Sequence, residues 1–137
     1  MIAVSYGEYD INCVDDSTLK KGLLCFWTLK NPTFPEFHIT TEHSITCCAF
    51  ASKRKNWIAI GDSHGNIAIY NVQKCVETGT AVPVAESKAA DDKLTDKHND
   101  IIWEVRWVKR EGKEETLISI SGDGRIIEWS LRKGIEM

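Results

Sequence analysis

The sequence runs on a period of two. Short stretches rich in β-branched and aromatic residues recur: Ile58-Ala59-Ile60, Asn66 to Tyr70, Ile101 to Val108, Leu117 to Ser121 and Arg125 to Leu131. Gly, Asp, Asn and His turns separate them, which is the signature of strands and not of helices. Ser63-His64-Gly65-Asn66 joins Trp57–Gly61 to Asn66–Val72, and Gly122-Asp123-Gly124 joins Leu117–Ser121 to Arg125–Leu131. Gly and Asp there supply the backbone that tight hairpins require. No convincing amphipathic helix is read. Val84 to Lys97 alone has helix-tolerant composition, and its charges predict a solvated loop.

The strand–turn–strand unit repeats three times. It runs Ile2 to Ser5 with Gly22 to Lys30, Ile58 to Gly61 with Gly65 to Gln73, and Ile118 to Ser121 with Gly124 to Arg132. Each copy ends on an aromatic, a small polar residue, an aliphatic and a long polar residue. The aromatics Trp27 and Tyr70 stand 43 positions apart, and Tyr70 and Trp129 stand 59 apart. The first spacing is the period of a propeller blade; the second is a blade plus a loop. A second shared unit precedes two of the hairpins: Glu42 to Phe50 and Lys97 to Trp107 each place a His before an apolar strand that ends in an aromatic.

These units resemble the WD repeat. The third copy carries His98, Ser119, Asp123 and Trp129, which resemble that family's structural tetrad, a buried hydrogen-bond relay across one blade. The second keeps His43 but has Ala59, His64 and Tyr70 at the other places, so no full relay is expected there. The predicted fold is all-β: a partial WD-repeat propeller of about two and a half four-stranded blades. The expected pieces are 1-35, 36-73 and 82-132, with a charged inter-blade loop at 74-97. Since propellers close with at least four blades, the chain reads as a fragment, a truncated product or a piece that needs partner blades.

Longer stretches are similar to the propeller of axonemal dynein intermediate chains. They are Ala3 to Gly7, Gly22 to Pro32 with Pro35-Glu36, Gly65 to Val72, Lys97 to Trp107, and Ser119 to Ile126 with Trp129 and Arg132-Lys133-Gly134. The last tripeptide leans toward the inner-arm type. The resemblance implies a non-catalytic scaffold that holds a dynein heavy chain beside a second intermediate chain and supports ciliary or flagellar movement. It implies a place in the cytoplasm and cytoskeleton, at the axoneme. An alternative is a substrate receptor of a cullin-type ubiquitin ligase, because Trp129-Ser130-Leu131-Arg132 nearly meets that family's Trp-Asp-x-Arg motif, with Ser130 in place of Asp.

Composition narrows the partners. The 137 residues carry 17 basic and 20 acidic side chains, so there is no basic surplus for nucleic acid. No apolar run approaches the length of a membrane helix, and the N-terminus lacks the basic start of a signal peptide. The five cysteines, Cys13, Cys25, Cys47, Cys48 and Cys75, form no CxxC pair and read as reduced thiols. Adjacent Cys47 and Cys48 point to opposite strand faces, so a zinc set with His38 and His43 is disfavoured. No cofactor, metal or small-molecule substrate is expected.

Gly61-Asp62-Ser63-His64-Gly65 fits GxSxG, which raises a remote serine-hydrolase reading at Ser63. A nucleophile elbow needs strand, turn and then helix, whereas a strand is expected after this turn. The candidate partner contacts are Trp57, Trp103, Lys53, Arg54, Lys55 and Arg132. The basic cluster could meet acidic tubulin, although solvated turns are the more common explanation. Trp57 and Trp103 read as core residues, and an exposed Trp at either place would be an interface anchor. Trp103 shares a face with Val105 and Trp107 unless the strand opens with a bulge. Ser87 and Thr95 are phosphorylatable residues without motif support.

Overall fold

The computed structural model describes residues 1–9, 21–87, 97–110, 112 and 114–130. Among them are ten strands, in three antiparallel sheets, and one short helix. The first sheet has the order β1-β2-β3, from β1 (Ile2–Tyr9), β2 (Lys21–Trp27) and β3 (Phe37–Thr41). The second is four-stranded, with β4 (Ile45–Phe50), β5 (Trp57–Asp62), β6 (Ile67–Asn71) and β7 (Pro83–Glu86) in chain order. The third, ordered β10-β9-β8, comes from β8 (Ile102–Val108), β9 (Thr116–Ser121) and β10 (Ile126–Trp129). The fold class is all-β, consistent with a partial propeller of the expected kind.

The repeats and the sheets are offset by one strand. β3 falls inside the sequence piece 36-73 but pairs with β2, with Leu24 opposite Ile39. β7 precedes the third hairpin unit but pairs with β6, with Ile69 opposite Ala85. The second and third repeats thus each lend a leading strand to the sheet before.

The second sheet is packed on both faces, because alternate residues of a strand point to opposite sides. Ile58, Ile60 and Tyr70 face the first sheet and join Leu24, Phe26 and Ile39 in one apolar cluster. Ala59, Ile67 and Ile69 face the third sheet and join Val105, Leu117, Ile127 and Trp129 in another. Phe26 is fully buried against Phe50, with ring centroids 6.4 Å apart. Burying a side chain of that size is worth roughly 3 kcal/mol. Adjacent Cys47 and Cys48 split between the two clusters, so their thiols do face apart.

Polar ties cross from the second sheet to the third. The Trp107 indole donates to Ala49 O at 3.0 Å. The Glu115 carboxylate accepts from Ser52 N–H at 2.9 Å and from Lys53 N–H at 3.0 Å. Thr46 Oγ1 reaches Ile102 O at 2.5 Å.

Segment 74-97 is not simply a charged loop. Helix α1 (Val72–Thr78) begins where a strand was expected to continue. Asn71 caps it, its side chain accepting from Lys74 N–H, and Gly79 ends it in the left-handed region at φ 67°. Val72 and Cys75, three positions apart, bury one face of the turn. β7 then takes Val84 and Glu86 out of the expected solvated loop. Pro83 opens it at the sheet edge, where a missing N–H costs no ladder bond. Residues 88–96, with Thr95, and the loop 10–20, with Cys13, lie outside the described residues.

Candidate functional site

The loop before β8, the β9 strand, the β9–β10 turn and the end of β10 converge on Ser119. His98 and Ser119 are fully buried and Trp129 is 2% exposed. The Trp129 indole donates to Ser119 Oγ at 2.8 Å, and Ser119 Oγ lies 2.7 Å from His98 Nε2. His98 Nδ1 lies 3.2 Å from Asp123 Oδ2. An indole only donates, so Ser119 accepts there and passes its own hydrogen to His98 Nε2. The neutral imidazole then carries its hydrogen on Nδ1 and donates to Asp123. All four side chains read from the third repeat meet in one hydrogen-bonded chain.

Arg125 extends it, which sequence reasoning missed. Its Nε and Nη2 donate to Asp123 Oδ2 at 3.1 and 2.9 Å, and its Nη2 also donates to Lys97 O at 2.5 Å. Asn99 N–H donates to Asp123 as well, at 3.0 Å. Burial works to raise the Asp123 carboxyl. The hydrogen bonds from Asn99, Arg125 and His98 outweigh it and hold the carboxyl well below the usual carboxylate range. Burial pushes the His98 imidazole down, against the opposing pull of Asp123.

The second sheet is built differently at the same place. Ala59 supplies no hydroxyl, and His43 stacks on His64 with centroids 3.8 Å apart. Asp62 closes the β5–β6 turn by accepting from His64 N–H, Asn66 N–H and Asn66 Nδ2. Ser63 Oγ sits 3.1 Å from His64 Nδ1 in this exposed turn, and β6 follows at once, so no nucleophile elbow forms. Tyr70 lies on the opposite face, packed toward the first sheet. Its phenol is pushed up to about 12, by burial first and then by the charges of Glu86 and Cys75.

The remaining candidates scatter. Trp57 is half-buried under the Arg54 guanidinium, 4.4 Å from the ring centroid. Lys53, Arg54 and Lys55 are exposed in the β4–β5 turn. Trp103 is 64% exposed, which corrects its reading as core. The register slips between Ile102 and Glu104, and that bulge turns Trp103 outward while Val105 and Trp107 stay in. Arg132 lies outside the described residues, as does Leu131. Among the described residues no group of three His, Cys, Asp or Glu is placed to hold a metal, and no helix is long and apolar enough to cross a membrane.

Three successive antiparallel sheets, linked by two strands that each pair into the sheet before their own repeat, define an all-β chain of stacked, blade-like sheets. Its homologues are axonemal dynein intermediate chains. It is 34% identical over 99% of its length to dynein axonemal intermediate chain 4 of Mus musculus, and equally so to that of Homo sapiens. It is 34% identical over 97% of its length to the ciliary dynein intermediate chain 2 of Heliocidaris crassispina. The chain spans 15 to 17% of the length of these relatives. No family model matches the chain.

Proposed function

We propose that this chain is a WD-repeat propeller segment of an axonemal dynein intermediate chain. In this reading it is a non-catalytic scaffold at the ciliary or flagellar axoneme. Its partners are a dynein heavy chain and a second intermediate chain, with tubulin as a further contact of Lys53, Arg54 and Lys55. The observation that carries the reading is the 34% identity to axonemal intermediate chains across nearly the whole chain. The inner-arm assignment rests on Arg132-Lys133-Gly134.

The physical content is rigid display. Sheets locked through two cores present loops and strand faces with little ordering cost on binding. Trp103, exposed beside the β9–β10 turn, is the anchor that best fits a buried partner contact. The test is capture of the tagged chain from a salt extract of isolated cilia, followed by mass spectrometry. Dynein heavy chain is expected in the wild-type capture and depleted with Trp103→Ser. Heavy chain equally recovered with Trp103→Ser removes the anchor role. Recovery of a cullin adaptor without any dynein subunit overturns the scaffold reading.

A further inference from the structure

A cleft of about 510 Å³ opens between α1 and the β4–β5 turn. Phe50, Val72 and Val76 give it an apolar lining, and Val76 is 44% exposed. The polar groups on its rim hold one another. Asn56 Nδ2 donates to Gln73 Oε1 at 2.6 Å, and Gln73 Nε2 donates to Glu77 Oε1 at 2.9 Å. What fills such a cleft best is therefore apolar. Glu36, at the end of the β2–β3 connection, forms another part of the wall. Two residues before it Phe34 stands 71% exposed, and Leu29, at the start of the same connection, is 93% exposed. The connection is braced. Asn31 N–H donates to Thr28 O at 3.3 Å, Thr33 Oγ1 to Asn31 Oδ1 at 3.0 Å, and Glu36 N–H to Phe26 O at 2.8 Å. Pro32 and Pro35 stand on either side of Phe34. The shape of the turn is set before any contact, which lowers the ordering cost of burying Phe34.

We infer that this surface is a self-association site, at which Phe34 of one copy of the chain enters the cleft of a second copy and the second copy returns the same contact. The braced turn and the cleft lie side by side and share Glu36, as a twofold, self-complementary contact requires. A small apolar ligand would fill the cleft and leave Phe34 and Leu29 in water, whereas a second copy covers both at once. The charges agree. Lys30 follows Leu29 on the turn and Glu77 stands on the rim of the cleft, both exposed. Neither is in an ion pair among the described residues. Across a twofold contact each Lys30 meets the opposing Glu77. The inference goes beyond the dynein reading and does not need it, because it concerns copies of this chain alone.

Sedimentation velocity of the full 137-residue chain tests it. A closed monomer–dimer equilibrium is expected between about 1 and 100 μM. Phe34→Ser withdraws one phenyl ring from each of two identical contacts. At about tenfold per ring, the dimer constant should weaken about a hundredfold. Lys30→Glu and Glu77→Lys should each weaken it about tenfold. The double variant, with the charges exchanged, should return it to near the wild-type value. All three side chains are exposed, so the folded chain tolerates their replacement. Four results overturn the inference: a monomer at every concentration, a dimer undiminished by Phe34→Ser, a double variant no tighter than either single variant, or assemblies that grow past the dimer.

Discussion

At the scale of single residues, the chain of bonds around Ser119 has one sign of response to acid. His98 binds its proton less readily in the folded chain than in the unfolded one, chiefly because it is buried. The unfolded chain therefore takes up a proton first as the pH falls through about 6.5, and folding stability drops below that value and is intact above it. Asp123 acts lower on the scale. Its depressed carboxyl contributes stability that is present above the unfolded carboxylate value near 4 and lost as the pH falls beneath it. The expected outcome is a melting temperature that is level from about pH 8 to 7 and declines steadily from about 6.5 to 5. Calorimetry across that range checks it, and His98→Gln should flatten the decline. These residues could be picked out in the sequence because their places in the third copy match the structural tetrad of the WD repeat it resembles. Arg125 could not, since an Arg beside a Gly-rich turn reads as solvated until the turn is seen folding it back onto Asp123 and Lys97 O.

At the scale of elements, the turns fix how one sheet meets the next. Gly65 sits at φ +79°, and a β-carbon there would lie 2.4 Å from His98 O and 3.0 Å from Asp100 O. Gly79, which ends α1, also has positive φ at +67°, but a β-carbon there meets nothing within 4 Å. The two positions separate backbone strain from crowding. Gly79→Ala should cost about 1 kcal/mol, the strain alone. Gly65→Ala should cost at least ~3 kcal/mol, because the β5–β6 turn must also back away from the segment that holds His98. Urea denaturation of both variants checks the difference, and equal costs would remove the close approach from the account. The strands themselves were legible from period-two patterning. The helix was not, because Val72 continues the β-branched run of β6 and its stop is set by the Asn71 cap, a signal only three residues long. Trp103 was misplaced for a related reason: alternation cannot count past a bulge.

At the scale of the whole molecule, the second sheet is the shared partner of both cores. Ile58 and Ile60 serve one cluster while Ala59 serves the other, and β5 is bonded to β4 on one side and β6 on the other. β5 should therefore open only with global unfolding, whereas β1 and β10 stand at sheet edges. Native-state hydrogen exchange is expected to show the amides of Ile58 to Ile60 slowest and those of β1 and β10 faster by roughly the factor that a few kcal/mol implies. Equal protection throughout would mean that the sheets do not differ in local stability.

The one-strand offset between repeat and sheet has a mechanical corollary. Because β3 and β7 are continuous with the unit that follows yet bonded into the one before, tension drawn along the backbone must shear two neighbouring ladders together, as in a row of overlapping shingles where no tile lifts without its neighbour. A chain jointed in this way would transmit force along its length with little stretch.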